Sequence, residues 1–297
     1  MNHPHALNSP FDVQATMLDT PEGRVACYDT GSGPTVLLLH SVNAAASSME
    51  MAPLFTGLAA DHRVIAVDWL GFGASERPVL RYRAETLLRV LDAVLDSLDG
   101  DPPVVICLSL PCQYVAILAS RFPERFRRLV LISATGVGRY PAAHRRMGLR
   151  RAAEGILRLP LVGSTLFRLL TRRQTIDRFL DSTVLDPATL PERYRAYAVA
   201  SARQPGADRA PLAFICGLLD APEAAEAYAG LTIPTLLLYG DHPRFSDPDA
   251  MEALADGHEW LRFTRLTESG DLPQWERPKI TLELIREFID GPMDLAD

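Results

Sequence analysis

A continuous apolar run that ends at a single serine constrains the fold of this chain more than any other stretch. Residues 104–108 are all apolar, Ser109 follows, and a second apolar run at helical spacing begins directly after it. The pattern predicts a buried strand, a sharp turn and a helix. In such a turn the serine hydroxyl lies at the carboxyl edge of a sheet, and the backbone N–H of Leu110 points toward whatever binds that hydroxyl. The simpler alternative is a buried strand and a helix with an incidental serine between them.

The stretch Cys107-Leu108-Ser109-Leu110-Pro111 resembles the nucleophile elbow of the α/β-hydrolase superfamily, which usually reads G-x-S-x-G. Both glycines are replaced here. Cys107 is small, and Pro111 falls in the first helical turn, where a missing N–H costs little. The resemblance implies that Ser109 is catalytic and that the Leu110 N–H belongs to an oxyanion hole, so the chain is identified as a divergent member of this superfamily.

Flanking motifs extend the resemblance along the chain. Residues 68–75 read D-x-x-G-x-G-x-S, and strand and helix patterns alternate from Thr35 to Ser133. Such alternation is typical of a parallel sheet with helices on both faces. The predicted fold class is therefore α/β, an α/β-hydrolase fold with a mostly parallel central sheet. Because residues 135–211 show helical segments and no strand signal, we expect a core of residues 1–134 and 212–297 with an inserted helical cap of residues 135–211.

The first buried strand, Thr35–Leu39, ends at His40-Ser41, where the superfamily usually has His-Gly. The resemblance implies that backbone N–H groups just beyond this point complete the oxyanion hole. Val42 N–H is the expected second donor beside that of Leu110, and Asn43 would add a side-chain amide. His40 is a further candidate, although a structural role bonded to nearby backbone is the favoured interpretation.

The acid of the superfamily's catalytic triad normally stands at the end of G-x-x-D. This chain has Gly240-Asp241-His242-Pro243. The acid is therefore either Asp241, early by the usual count, or absent, with Asp247 and Asp249 as alternatives close in sequence.

An aspartate stands where the superfamily has its catalytic histidine. The usual motif is G-H-x-P-x-x-E-x-P, and residues 270–278 match its framework with Asp271 in the place of histidine. An aspartate of pKa ~3.9 is a weaker base than an imidazole of pKa ~6.5, although burial can raise the pKa of a carboxyl by several units. Asp271 is thus predicted to move protons on a carbonyl compound. His242, or His144 from the cap, is the alternative base.

Three functions follow from these residues. The first is an enzyme of a biosynthetic pathway that acts on a small, largely apolar carbonyl compound without hydrolysis. Its reaction would be addition or C–C bond formation, condensation, elimination or isomerisation, and Ser109 and Asp271 would direct the proton transfers. The second is a serine esterase, thioesterase or lactonase that uses His242. The third is a binding protein that kept the pocket without catalysis. The first is favoured because the serine, the oxyanion turn and the cap are all retained.

Composition and net charge restrict the partners and the cellular location that we expect. The net charge of −7 argues against nucleic acid as a partner, and a small-molecule substrate is expected instead. We predict no membrane span, a cytoplasmic protein with reduced cysteines, no metal and no cofactor. The arginine-rich segment 136–211 is interpreted as a solvated helical face, or as a lid that attracts an anionic substrate or carrier. The oligomeric state stays open.

Overall fold

A computed structural model describes residues 7–138 and 160–291. Eight strands form one sheet in the order β1-β2-β4-β3-β5-β6-β7-β8. The strands are β1 (Thr16–Thr20), β2 (Gly23–Gly31), β3 (Thr35–Leu39), β4 (Arg63–Val67), β5 (Val104–Leu108), β6 (Arg128–Ile132), β7 (Thr235–Gly240) and β8 (Leu261–Leu266). β1 and β2 are antiparallel neighbours, β2 pairs antiparallel with β4, and all remaining pairs are parallel. This is the predicted α/β-hydrolase fold.

Helices cover both faces of the sheet. They are α1 (Ala52–Leu58), α2 (Ala84–Asp96), α3 (Cys112–Arg121), α4 (Pro160–Leu170), α5 (Arg173–Asp181), α6 (Glu192–Ala202), α7 (Arg209–Ile215), α8 (Ala224–Ala229), α9 (Pro248–Ala255), α10 (Pro273–Glu276) and α11 (Pro278–Asp290). Short 3₁₀ turns lie at Ser48–Met51, Pro123–Arg125 and Pro187–Thr189. None of these described helices is long and apolar enough to cross a bilayer.

The central strands are buried on both faces, which explains their mostly apolar sequences. Every residue of β5 and of β6 is buried, and the register aligns Cys107 of β5 with Leu39 of β3 on one side and Leu131 of β6 on the other. Parallel strands end at the same edge of a sheet. The loops that follow β3, β5, β6, β7 and β8 are therefore gathered there.

The segment between β6 and β7 contains helices α4 to α8 and, among its described residues, no strand. The predicted cap boundary at residue 211 falls within α7, and the limits of the cap stay a prediction. Residues 139–159 of the predicted cap, with His144, lie outside the described residues. All four cysteines are free thiols.

Candidate active site

A turn of constrained backbone presents Ser109 at the carboxyl end of β5. Ser109 has φ of 64°, a left-handed conformation that L-residues rarely adopt. Its N–H donates to Ile132 O at 2.8 Å, and its carbonyl accepts from Cys112 N–H at 3.1 Å at the start of α3. Cys112 Sγ donates to Cys107 O at 3.2 Å, so the two cysteines pack closely where the superfamily motif has a glycine. The strand, turn and helix thus form a sharp elbow without either glycine.

A cavity of about 280 Å³ opens above this elbow. Side chains from the core and from the segment between β6 and β7 line it together. The apolar part of the lining comprises Leu108, Phe179, Phe214, Ile215, Phe245 and Leu272. A mostly apolar cavity with a few polar groups is typical of a small-molecule site.

The predicted oxyanion turn borders the same cavity. Ser41, Val42, Asn43 and Leu110 all line it. Within the described residues, the N–H groups of Val42 and Leu110 have no hydrogen-bond acceptor, so both can serve a ligand oxygen. The Asn43 amide, in contrast, donates to Ser41 Oγ at 3.0 Å and to Glu50 Oε1 at 2.9 Å. Its two hydrogens are used within the turn itself.

His40 lies beneath this turn, outside the cavity. Its Nε2 accepts the Trp69 N–H at 3.0 Å, so the proton is on Nδ1, which donates to Ser41 O at 2.6 Å. Complete burial lowers its pKa to about 4. A neutral imidazole with both nitrogens engaged holds the backbone and has no free position for a substrate.

Asp271 follows β8 and lines the cavity with 7% of its surface exposed. Its carboxylate accepts hydrogen bonds from Arg244 N–H at 2.8 Å, Phe245 N–H at 3.2 Å and Ser246 Oγ at 3.2 Å. Burial raises its pKa to about 6 against the lowering effect of these donors, and the charge of Glu276 raises it further. The pKa of the carboxyl therefore lies closer to neutrality than that of an exposed aspartate, which suits a proton-transfer group.

Contacts with both neighbouring segments hold Asp271 in place. Its N–H donates to Thr183 O at 2.8 Å, and its carbonyl accepts from Ser133 Oγ at 2.9 Å. Gly270 permits this close approach, because a Cβ there would lie 2.6 Å from Thr183 O. The segment between β6 and β7 and the strand edge therefore share the positioning of this residue.

Asp241 and His242 lie apart from the cavity. The His242 side chain is 63% exposed, with its Nε2 3.7 Å from Asp241 Oδ2. Asp241 accepts the Ser269 N–H at 3.1 Å. Position 243, where the G-x-x-D motif would place its acid, is proline. Of the predicted candidates, the fold thus brings together Ser109, Leu110, Ser41, Val42, Asn43 and Asp271, and it leaves His40, Asp241 and His242 outside.

Glu50 lines the cavity and is absent from the predicted set. It is 2% exposed and lies in the 3₁₀ turn before α1. One sequence signal could have found it, since Glu50 is a lone acid between two apolar residues, Met49 and Met51. The polar residues Gln113, Ser133 and Tyr194 also line the cavity.

No histidine is among the described residues that line the cavity. Likewise, residues 7–138 and 160–291 contain no group of three His, Cys, Asp or Glu side chains placed to hold a metal ion. Besides the neutral polar side chains already named, the described lining therefore offers the Ser109 hydroxyl, two free backbone N–H groups and the carboxyls of Glu50, Asp220 and Asp271.

An eight-stranded, mostly parallel sheet with a serine in a sharp turn after β5 is the architecture of the α/β-hydrolase class. Residues 34–278 match the sequence model of the alpha/beta hydrolase fold family, and the chain belongs to that family. A 2-hydroxy-6-oxononadienedioate/2-hydroxy-6-oxononatrienedioate hydrolase of Cupriavidus pinatubonensis is 27% identical, over 90% of this chain and 91% of the relative. A 2-hydroxymuconate semialdehyde hydrolase of Pseudomonas putida is 28% identical over 90% of both chains. A haloalkane dehalogenase of Mesorhizobium japonicum is 30% identical over 87% of this chain and 84% of the relative.

Solved structures show the same fold. A serine hydrolase involved in carbazole degradation superposes with a TM-score of 0.77 at 16% identity, over 94% of this chain and 99% of that one. The meta-cleavage product hydrolase of Pseudomonas fluorescens gives 0.72 at 18% identity, over 93% and 97% of the two chains. At these identities the likeness concerns the fold alone.

Proposed function

We propose that this protein is an enzyme that moves protons on a small, largely apolar carbonyl compound, with Asp271 as the base. The observation that carries the proposal is the position and state of Asp271. It is a buried carboxyl on the cavity wall whose pKa is raised to about 6. A base of this strength removes a proton next to a carbonyl more readily than an exposed aspartate does.

The two free N–H groups would bind and orient the carbonyl oxygen of the substrate. Val42 follows β3, Leu110 lies in the elbow after β5, and both line the cavity, so a carbonyl oxygen between them would accept both hydrogen bonds. Charge that develops on this oxygen when a neighbouring C–H is broken is stabilised there. The apolar lining would hold the rest of the substrate. In this arrangement the Ser109 hydroxyl donates to or accepts from the substrate and needs no activation as a nucleophile.

Hydrolysis is the second candidate, and the relatives favour it. The two hydrolases that match over nine tenths of their length carry names with an oxo or a semialdehyde group. This supports a carbonyl substrate for both candidates. Serine hydrolysis requires a base that takes the hydroxyl proton and returns it to the leaving group. Asp271 would have to supply it, or His144 from outside the described residues.

Exchange of ketone α-protons tests the first candidate. Cyclohexanone in D₂O is followed by proton NMR with the wild type, Asp271→Asn and the matched control Asp241→Asn. We expect the wild type and the Asp241 variant to accelerate exchange and the Asp271 variant to lose at least ~100-fold, which is the usual contribution of a general base. Exchange that is equally fast with Asp271→Asn would overturn the proposal.

A fluorophosphonate probe tests the second candidate. Labelling of the wild type that disappears in Ser109→Ala would favour serine hydrolysis. We expect no labelling of the wild type and labelling of Asp271→His, in which the missing imidazole is restored. Gain of ester hydrolysis in that variant would indicate that the elbow and the oxyanion turn are otherwise intact. A protein that binds ketones tightly, with neither exchange nor labelling, would be a binding protein.

A further inference from the structure

A second buried carboxyl faces the cavity from the other side of the elbow. Glu50 follows β3, whereas Asp271 follows β8, and β5 with Ser109 lies between these strands in the sheet. The cavity above Ser109 is therefore bordered by Glu50 from the loop after β3 and by Asp271 from the loop after β8, besides Asp220 from the segment between β6 and β7. Sites in which two titratable groups differ in environment commonly divide the roles of acid and base.

Glu50 is built into the oxyanion turn. Its Oε2 accepts the Ser41 N–H at 2.8 Å, and its Oε1 accepts the Asn43 amide at 2.9 Å. Ser41 immediately precedes Val42, whose N–H is free for a ligand oxygen. Glu50 thus lies next to the place where a carbonyl oxygen would bind.

The Glu50 carboxyl accepts from the Ser41 N–H and the Asn43 amide, and the Ser41 hydroxyl, which itself accepts from Asn43, is a further hydrogen-bond partner. A proton on Glu50 can pass to neither nitrogen. Its natural acceptor is a ligand oxygen in the adjoining cavity. An ionised Glu50, by contrast, would repel a negative charge on that oxygen.

We propose that Glu50 is a second catalytic residue, the acid that protonates the carbonyl oxygen, and that the site interconverts a neutral ketone and its enol. This deepens the proposed function and rests on it, because Asp271 remains the base. The Asp271 carboxylate takes the α-proton. The electron pair of the broken C–H bond becomes the C=C bond of the enol. The carbonyl π pair takes the Glu50 proton and forms the O–H bond. Asp271 ends protonated and Glu50 ionised, so the total charge of the site is unchanged, and exchange with water restores both groups.

The titration of the two carboxyls agrees with these roles. Burial raises the pKa of Glu50 to about 7, against the hydrogen bonds from Ser41 and Asn43, while that of Asp271 is about 6. Asp68 and Tyr194 are the titratable groups that face Glu50, and Glu276 faces Asp271. Between these two values the acid is largely protonated and the base largely ionised.

The carbonyl of Glu50 also connects the two sides of the site. It accepts from Trp275 Nε1 at 2.9 Å and from Gln274 Nε2 at 3.3 Å, both in α10 directly beyond Asp271. The ring of Trp275 stacks on that of Tyr194 at 5.2 Å. The backbone that carries the acid is therefore fastened to the loop that carries the base.

The test is the pH profile of cyclohexanone α-proton exchange in the wild type, Glu50→Gln and Asn43→Ala. The wild-type rate should rise through about pH 6 and fall through about pH 7. Glu50→Gln keeps the size of the side chain but carries no transferable proton. Its rate should fall by ~100-fold. The decrease of the rate above about pH 7, which is the descending limb of the profile, should disappear. Asn43→Ala removes one of the same hydrogen bonds but leaves the carboxyl, so its rate should fall less and the descending limb should remain.

A merely structural role for Glu50 would leave the shape of the profile unchanged. Retention of the descending limb in Glu50→Gln therefore overturns the inference, and so does a wild-type rate in that variant. If Asp271→Asn retains full exchange, it is the proposed function that fails. Should Glu50→Gln not fold, infrared spectra of the wild type with ¹³C=O-labelled cyclohexanone replace it. If the frequency of the ketone C=O stretch is lowered below pH 7 and restored above it, the inference is supported. A frequency that does not change with pH overturns it.

Discussion

Two buried carboxylates of this protein are similar in their hydrogen bonds and differ in what they face. Asp68, after β4, accepts from Ser48 N–H at 2.7 Å, Ser48 Oγ at 2.6 Å, Tyr28 Oη at 3.0 Å and Ala74 N–H at 2.8 Å. It is fully buried and surrounded by protein. Asp271 also accepts from backbone and hydroxyl donors, but it borders the cavity.

The difference teaches that satisfied hydrogen bonds alone do not make a buried carboxylate structural. Around Asp68 even the backbone is fitted to the carboxylate, because a Cβ on Gly73 would lie 2.0 Å from Asp68 Cγ. No ligand can enter there. Asp271 has an open side, where a substrate can exchange a proton with it. We therefore expect Asp68 to affect stability and Asp271 to affect turnover.

The largest expected effect is the loss of stability in Asp68→Ala. Removal of the carboxylate leaves Ser48, Tyr28 and Ala74 with buried donors that lack an acceptor, at about 1–3 kcal/mol each. We expect the free energy of unfolding to fall by about 4 kcal/mol or more, measured by urea denaturation. A loss under about 1 kcal/mol would mean that the network is dispensable and that the comparison is wrong.

Asp271→Asn should show the reverse pattern. Turnover of the native substrate should drop about 1000-fold, equivalent to about 4 kcal/mol of transition-state stabilisation, because the base is gone. The free energy of unfolding should change by no more than about 1 kcal/mol. The amide oxygen still accepts from the loop after β7, and a buried charge is removed. Large destabilisation with unaltered turnover of the folded fraction would assign Asp271 to the scaffold.

The cavity carboxyls should also give stability a pH dependence. The pKa of Glu50 is about 7 in the folded protein against 4.5 as its ordinary value. A raised acid pKa means that the folded state retains a proton which the unfolded state has released. Stability from this group is therefore present below about pH 4.5 and is lost as pH rises to 7, by about 3 kcal/mol. Denaturation at pH 5 and pH 8 should show this loss, and Glu50→Gln should reduce it. An equal loss of unfolding free energy between pH 5 and pH 8 in the wild type and in Glu50→Gln would contradict the burial of an ionisable Glu50.

The smallest effect is expected for His242→Ala. His242 is exposed and lies outside the cavity, so turnover should change less than about twofold and the free energy of unfolding by about 0.5 kcal/mol or less. A large loss of turnover would mean that the loop after β7 rearranges to bring this imidazole to Ser109. The site would then be that of a serine hydrolase.

Much of this architecture could be predicted from local sequence patterns. Unbroken apolar runs predicted the central strands, as at Thr35–Leu39 and Val104–Leu108, which the structure has with the same bounds. Alternating strands and helices predicted the parallel sheet, which is confirmed. The opening strand, Thr16–Thr20, has no such apolar run. It lies at the sheet edge, where half-exposed residues give a weaker apolar signal.

By itself, the sequence determined that the serine and its candidate partners are gathered at one edge of one sheet. Burial on both faces requires apolar strands, and parallel strands bring their carboxyl ends together. Only the tertiary structure decided which side chains face the cavity. Glu50 enters it and His242 does not, because side-chain direction in loops depends on packing against distant segments, such as the contact of Thr183 with Asp271. No local pattern of residues encodes such a contact.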